Sequence, residues 1–401
     1  MSKRHQSGID LPSRVRRIQE LIMAHSGIDE FYEVIRILLA KYFAEAEGRD
    51  RLPDMETCNR LLALHGSEVA FILDQITSLQ SPPAIFGDVQ RVIGNVSIGG
   101  QDFAALDLAF EQLTSRTYKS DKGQYFTPRH VVDLCIEAID PMPGELICDP
   151  ACGSGAFLKS AHSYSLERHG LAPRLYGFDY SHRACQVAQA VSLIATADSI
   201  EIKQLDSLRT PTRDLLAPEA DTIESYMGPE FKGFDAIVTN PPFAGDISSE
   251  NFTSNYEVAG LFPRRLERDV LFIERCIRLL KNGGRLAIVL PDNKVSSRHF
   301  SSLRQWLARQ SLIRAVVSLH RFTFLPYTSQ KAAVIFAIKQ KASASAYPSD
   351  VLFFRSDKPG KTSNGTMVFK PGADINTPAY QALDHDLNEA APRIKEALCI
   401  S

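Results

Sequence analysis

Leu146-Ile147-Cys148-Asp149-Pro150-Ala151-Cys152-Gly153-Ser154-Gly155-Ala156-Phe157-Leu158 decides the fold of this chain. Leu146–Cys148 is a short apolar run that reads as a buried strand, and the stretch from Gly155 to His169 reads as a helix. Between them Gly153 and Gly155 permit positive φ and a close backbone approach. Strand, glycine-rich turn and helix in this order open a βα unit. A lone glycine-rich turn serves dinucleotides, phosphates and plain tight turns alike. This one opens with an acid and lacks the Lys-Ser/Thr ending of a phosphate-binding loop. Asp149 would repel a pyrophosphate but can serve an amine, so the turn favours a zwitterionic or cationic ligand.

The same texture continues downstream. Further strands are expected at Leu175–Phe178, Ile200–Leu205, Ala236–Thr239, Leu286–Leu290, Ile313–Ser318 and Ala332–Ala337, with helices at His182–Ala195, Asp269–Lys281 and Ser301–Gln310. Short apolar strands alternating with helices predict an α/β fold with a doubly wound, mostly parallel seven-stranded sheet. The last two strands lack a full helix between them, which predicts an antiparallel hairpin at one edge. Upstream the pattern is helical: a helix capped by Ser13, a break at Gly27, a broad apolar helix over Asp29–Glu45, then Met55–His65, Ser67–Leu79 and Phe103–Thr117, with Ser81-Pro82-Pro83 as an interruption. Three regions result: a helical domain over 1–117, a catalytic domain over 118–340, and a tail over 341–401 with short strands and a helix suited to docking a partner.

With 401 residues, a net charge of −2 and 44% apolar residues, the chain has the make-up of an ordinary globular protein. No apolar run approaches a membrane span, the first residues lack a signal peptide's apolar segment, and the seven cysteines form no CxxC pair. A cytoplasmic location is expected, with no metal. Whole-chain charge does not announce nucleic-acid binding, so any DNA role needs local basic patches or a partner that supplies charge.

Three more strand ends carry chemistry. Asp179 ends the second strand, where a carboxylate can accept from both ribose hydroxyls or cap the next helix. Asp206 follows the third strand and could accept from an adenine amino group. After the fourth strand comes Asn240-Pro241-Pro242-Phe243. Its prolines stiffen the turn and remove two donors, so an amide, a bare carbonyl and an aromatic face converge on a volume suited to a flat, amino-bearing ring. Taken together, the four strand ends place one adenosine-like cofactor beside one amino-bearing target, the pattern of S-adenosylmethionine-dependent methyltransferases acting on exocyclic amines.

The combination of DPACGSGAFL (149–158) and NPPF (240–243) is similar to the DNA adenine-N6 methyltransferases. Upstream, Ala109-Phe110-Glu111 and Lys122-Gly123-Gln124-Tyr125-Phe126-Thr127-Pro128-Arg129 resemble the modification subunits of type I restriction systems, as does the helical N-terminal region. The resemblance spans about residues 13–340. It implies a Rossmann-like S-adenosylmethionine-dependent methyltransferase domain that flips an adenine out of double-stranded DNA. Asn240, Pro241, Pro242 and Phe243 would form the catalytic pocket. Gln124, Tyr125, Phe126, Thr127 and Pro128 would wrap the methionine end of the cofactor, which Asp149, Ala151, Gly153, Ser154, Gly155, Asp179 and Asp206 would complete. Phe324 or Tyr327 would stack on the flipped base, and Arg264, Arg265 and Arg268 would meet phosphates. No sizeable target-recognition domain is visible, so a separate specificity subunit is expected, and a nuclease subunit or a second methyltransferase copy is compatible. Rival readings are a methyltransferase of a protein glutamine amide or an RNA amino group, families that usually end the motif in tyrosine, and a non-catalytic scaffold in a defence complex.

Overall fold

The computed structural model describes residues 7–24, 27–74, 78–99, 106, 108–110, 113, 126–195, 197–211, 221–243, 245–247, 255–340, 350–373 and 381–399. In chain order the helical region contributes α1 (Ser7–Met23), α2 (Glu30–Ala46), α3 (Met55–Leu64), α4 (Gly66–Val69) and α5 (Pro83–Ile93). There follow α6 (Arg129–Ile139), β1 (Leu146–Asp149), α7 (Ala156–His169), β2 (Arg174–Asp179), α8 (His182–Ile194) and β3 (Ile200–Gln204). Then come α9 (Ile223–Met227), β4 (Phe234–Thr239), α10 (Arg268–Leu279), β5 (Leu280–Pro291), α11 (Asn293–Ser296), α12 (Ser301–Gln310) and β6 (Ser311–Ser318). The described chain ends with β7 (Ala332–Lys339), β8 (Leu352–Arg355) and α13 (Ala391–Cys399). Two compact units form: residues 1–121 with 182–198, and residues 122–181 with 199–401.

In the first unit, α2 starts where Asp29 accepts from the Phe31 amide, and its broad apolar face is buried from Phe31 to Ala44. Two carboxylates on α2 act as backbone acceptors. Glu33 accepts from the Gln80 and Ser81 amides, and Glu45 from those of Ile98 and Gly99. Each acid thereby pairs loop N–H groups with a helix side chain, Glu33 from a fully buried position. Three sequence expectations change here. Ser13 lies inside α1 instead of capping it. Among the described residues of the expected 67–79 helix, the single turn α4 is the helical part. Pro83, expected to interrupt, begins α5, because a proline at the first helical position loses no needed donor and has a suitable φ. Most of the expected 103–117 helix lies outside the described residues. The helix α8, expected in the catalytic domain, clusters instead with this unit: Val187, Ala190, Val191 and Ile194 join the core that α2 also builds.

In the second unit the described residues form one sheet of eight strands in the order β3-β2-β1-β4-β5-β7-β6-β8. Strands β3, β2, β1, β4 and β5 are parallel neighbours, and β7 runs antiparallel between β5 and β6. Seven strands were expected. The eighth, β8, comes from the region read as a tail and pairs parallel to β6. Leu286, Ile288 and Leu290 of β5 pack with residues of α10 and α12, and the alternate residues Ala287 and Val289 are buried on the opposite face, as the two-residue period requires. The helix α6 packs against β4 and β5 on this unit's sheet, and α13 packs on α6. There Lys395 pairs with Asp140 at 2.7 Å, and the imidazoles of His130 and His385 stack at 5.1 Å. Gly283 and Gly284 lie within β5, where the pairing with β4 jumps from Phe234/Leu280 to Ala236/Arg285.

Gly177 in β2 sets how closely α7 and β3 approach. A Cβ there would lie 2.5 Å from Ile202 Cδ1, 2.7 Å from Leu158 Cδ1 and 3.0 Å from Cys152 Sγ. Gly177→Ala is therefore expected to destabilise the second unit by roughly 1–3 kcal/mol, the range for overpacking a filled core. Urea denaturation followed by circular dichroism checks this, and a midpoint equal to that of the parent would contradict it.

Candidate active site

β1 and β4 are adjacent, with β2 beyond β1 and β5 beyond β4, so the winding of the sheet reverses between them. A crevice opens at such a switch point, outside the carboxyl ends of the strands. Asp149 ends β1 and Asn240 follows β4, which places the acid-led turn and Asn-Pro-Pro-Phe side by side.

Asp149 is buried. Its Oδ1 accepts from Thr239 Oγ1 at 2.6 Å and from the Ala151 amide at 3.0 Å. Burial pushes its carboxyl up to about 7, against the pull of those two donors, and the charge of Asp179 adds to the rise. Asp179 is also buried, with Oδ2 accepting from the Gly153 amide at 2.9 Å and Oδ1 from the Ser181 amide at 2.8 Å. Burial raises its carboxyl too, opposed by those amides. Asp179 thus fastens the glycine turn to the end of β2. Gly153 and Gly155 hold φ of +54° and +84°, and a Cβ on Gly153 would meet nothing within 4 Å. The turn is therefore open above Gly153, while Ser154 is buried and Ala151 half-buried. Asp206, half-buried, accepts from the Leu208 amide at 3.1 Å.

Asn240 is half-buried, and its Nδ2 donates to Thr127 Oγ1 at 2.9 Å. Thr127 lies between Phe126 and Pro128, and the Pro128 carbonyl accepts the first amides of α6. Gln124 and Tyr125 lie outside the described residues. Pro241 is buried and Pro242 half-buried. Phe243 is buried and packs edge-to-face on Phe324, with centroids 5.6 Å apart. Of the two aromatics expected to stack on a base, Phe324 is a core residue at 1% exposure, whereas Tyr327 is 42% exposed and 6.3 Å from the Phe126 ring. The arginine cluster is partly committed, since Arg265 pairs with Asp246 at 2.9 Å.

Sequence reasoning missed two residues. Thr239 was read only as the last residue of a strand, and the signal that finds it is its place at the end of the neighbouring strand, one residue past the position level with Asp149. Lys294, buried after β5, pairs with Glu267 at 2.5 Å and with Asp269 at 3.1 Å, which fastens the start of α10. Among the described residues no cluster of His, Cys, Asp and Glu is suited to a metal, and no helix is long and apolar enough to cross a membrane.

A family model for N-6 DNA methylases matches residues 105–373, well over half of the chain. The chain belongs to the N-6 DNA methylase family. It is 28% identical over 257 residues to the type I restriction enzyme EcoEI methylase subunit of Escherichia coli, covering 60% of this chain and 48% of that protein. Over 224 residues it is 27% identical to the type II restriction enzyme and methyltransferase RM.BcgI of Heyndrickxia coagulans, covering 53% of this chain and 31% of that protein. This N-6 DNA methylase chain thus matches about half or less of the length of these relatives. Among solved structures it resembles a type I restriction-modification methyltransferase subunit from Streptococcus thermophilus, with a TM-score of 0.65 at 18% identity over 98% of this chain and 94% of that one. A class I S-adenosylmethionine-dependent methyltransferase from Listeria monocytogenes gives 0.62 at 12% identity, covering 98% and 99%. The chain therefore shares the α/β fold of these solved methyltransferase structures.

The elevated Asp149 carboxyl has a measurable consequence. Its folded value of about 7 lies above the unfolded value near 4, so the folded state holds the proton more tightly between those limits. The parent should lose stability relative to Asp149→Asn as pH rises from about 4 to about 7, with the difference levelling above that. Denaturant midpoints across this range test the slope, and parallel curves for the two proteins would refute it.

Proposed function

We propose that this chain transfers a methyl group from S-adenosylmethionine to N6 of adenine in double-stranded DNA, as the modification subunit of a restriction-modification or related defence system. The observation that carries this reading is the Asn240 amide, held by Thr127 and standing beside the acid-led turn at the switch point, in a chain of the N-6 DNA methylase family.

The donor set fits the cofactor. Asp149 offers a carboxylate for its ammonium and Asp179 for its ribose hydroxyls. The open space above Gly153 leaves room for it, and Asp206 has an oxygen beyond the Leu208 amide for an adenine amino group. Thr127, with Phe126 and Pro128, would meet its carboxylate end. When bound, S-adenosylmethionine supplies an electrophilic methyl group.

The chain's own residues prepare the acceptor. The Asn240 Oδ1 and the Pro241 carbonyl would accept the two N6 hydrogens, drawing that nitrogen out of conjugation with the ring and freeing its lone pair. No strong base is needed, since the proton can leave after methyl transfer. Phe243, fixed by Phe324, forms a rigid wall, and the half-exposed Tyr327 offers a stacking face. A base in a duplex cannot reach such a crevice, so the adenine would be flipped out. Sequence choice would come from a separate specificity subunit, in line with the near-neutral net charge of −2. A nuclease subunit or a second methyltransferase copy would complete such a complex.

Asn240→Ala should lower the transfer rate by at least about a hundredfold, the scale for losing one preorganised polar group at a reacting centre. Labelled-methyl transfer to adenine-containing DNA, with the specificity partner present, measures it. A folded variant with near-parental transfer would overturn the mechanism.

A further inference from the structure

The amide of Asn240 works as an acceptor only one way round. Flipped, it would offer N–H groups to an amine that itself donates. What fixes its orientation comes from far away in the chain: Nδ2 donates to Thr127 Oγ1 at 2.9 Å across 113 residues. On the other side of the same peptide, Thr239 is anchored by its 2.6 Å hydrogen bond to Asp149. The Thr239–Asn240 pair is thus clamped between the two places that would receive the ends of an amino acid, a carboxylate for the ammonium and a hydroxyl for the carboxylate.

A hydroxyl has two lone pairs and one proton. With Asn240 donating to its oxygen, the Thr127 proton is left to be given, and an anion is its best acceptor. We propose that Thr127 is a positioning residue coupling the amino-acid end of the cofactor to Asn240. Its O–H donates to the cofactor carboxylate while its oxygen holds the amide with Oδ1 turned toward the target amine. Each contact orients the hydroxyl for the other, so cofactor binding and amide orientation reinforce one another. This coupling rests on the cofactor reading above, and it assigns Asn240 a second effect: a residue for the DNA amine also tightens the cofactor.

The test needs neither DNA nor a partner subunit. S-adenosylmethionine is titrated calorimetrically into the full chain as parent, Thr127→Ser, Thr127→Val, Asn240→Ala and the Thr127→Val/Asn240→Ala double variant, each checked for folding by circular dichroism. Thr127→Val should weaken binding about tenfold and Asn240→Ala about threefold, within the range for net hydrogen-bond contributions. Thr127→Ser should stay within about twofold of the parent, because it retains the hydroxyl. The double variant should bind no more weakly than Thr127→Val alone, since the coupling is already lost. If Asn240→Ala leaves affinity unchanged, or if the two losses multiply, the coupling is refuted while the cofactor reading stands. Should Thr127→Val fail to fold, the affinity of Asn240→Ala still decides. If the parent does not take up the cofactor, the functional reading falls and the coupling with it.

Discussion

The hydrogen bond from Thr239 to Asp149 joins the ends of β4 and β1, the two strands between which the winding of the sheet reverses. Parallel pairing alone would leave these ends free to splay, since the ladder between β1 and β4 stops at Ile147/Ala236 and Cys148/Ile237. The side-chain contact extends the register past the last paired residues and fixes the height of Asn240 relative to the glycine turn. Asp179 does the same on the other side of β1 through the Gly153 amide. The crevice is therefore a place where three strand ends are stapled by carboxylates, and its geometry follows from the topology.

Much of this was legible in the sequence because buried parallel strands announce themselves as short apolar runs with chemistry at their ends. Leu146–Cys148, Leu175–Phe178 and Ala236–Thr239 all fall within observed strands. What escaped depends on partners remote in sequence. The apolar face of α8 fits either side of a crossover, and only contact with α2 assigns it to the helical unit. The strand β8 falls where a short strand of the tail was expected, but its alternation of half-buried and exposed residues gives no sign that it joins the sheet beside β6. Pro83 signals a break or a beginning equally well, and the residues after it decide which.

The site shows the same division. Residue types at strand ends pointed to Asp149, Asp179 and Asn240, and the structure brings them to one crevice. The orientation of the Asn240 amide was not readable, because it rests on Thr127 in a segment that composition presents as an ordinary connection. Nor was the burial of Phe324, since the aromatics of that segment face opposite environments only once Phe243 packs against one of them. Rules of spacing identify which groups can act. The choice of which atom each group presents belongs to tertiary contacts.

Two buried acids so close together are costly for the fold. Burial raises both carboxyls despite the hydroxyl and amide donors around them. A structure selected for stability alone would replace at least one with a neutral residue. Their retention makes sense if the positive charge of a ligand offsets the cost of burying them, so that binding relieves a penalty that folding leaves in place. Under the proposed function the ammonium of the cofactor would meet the more strongly raised acid. The fold would then be least favourable where the ligand gains most, and part of the binding free energy would be the removal of a folding penalty.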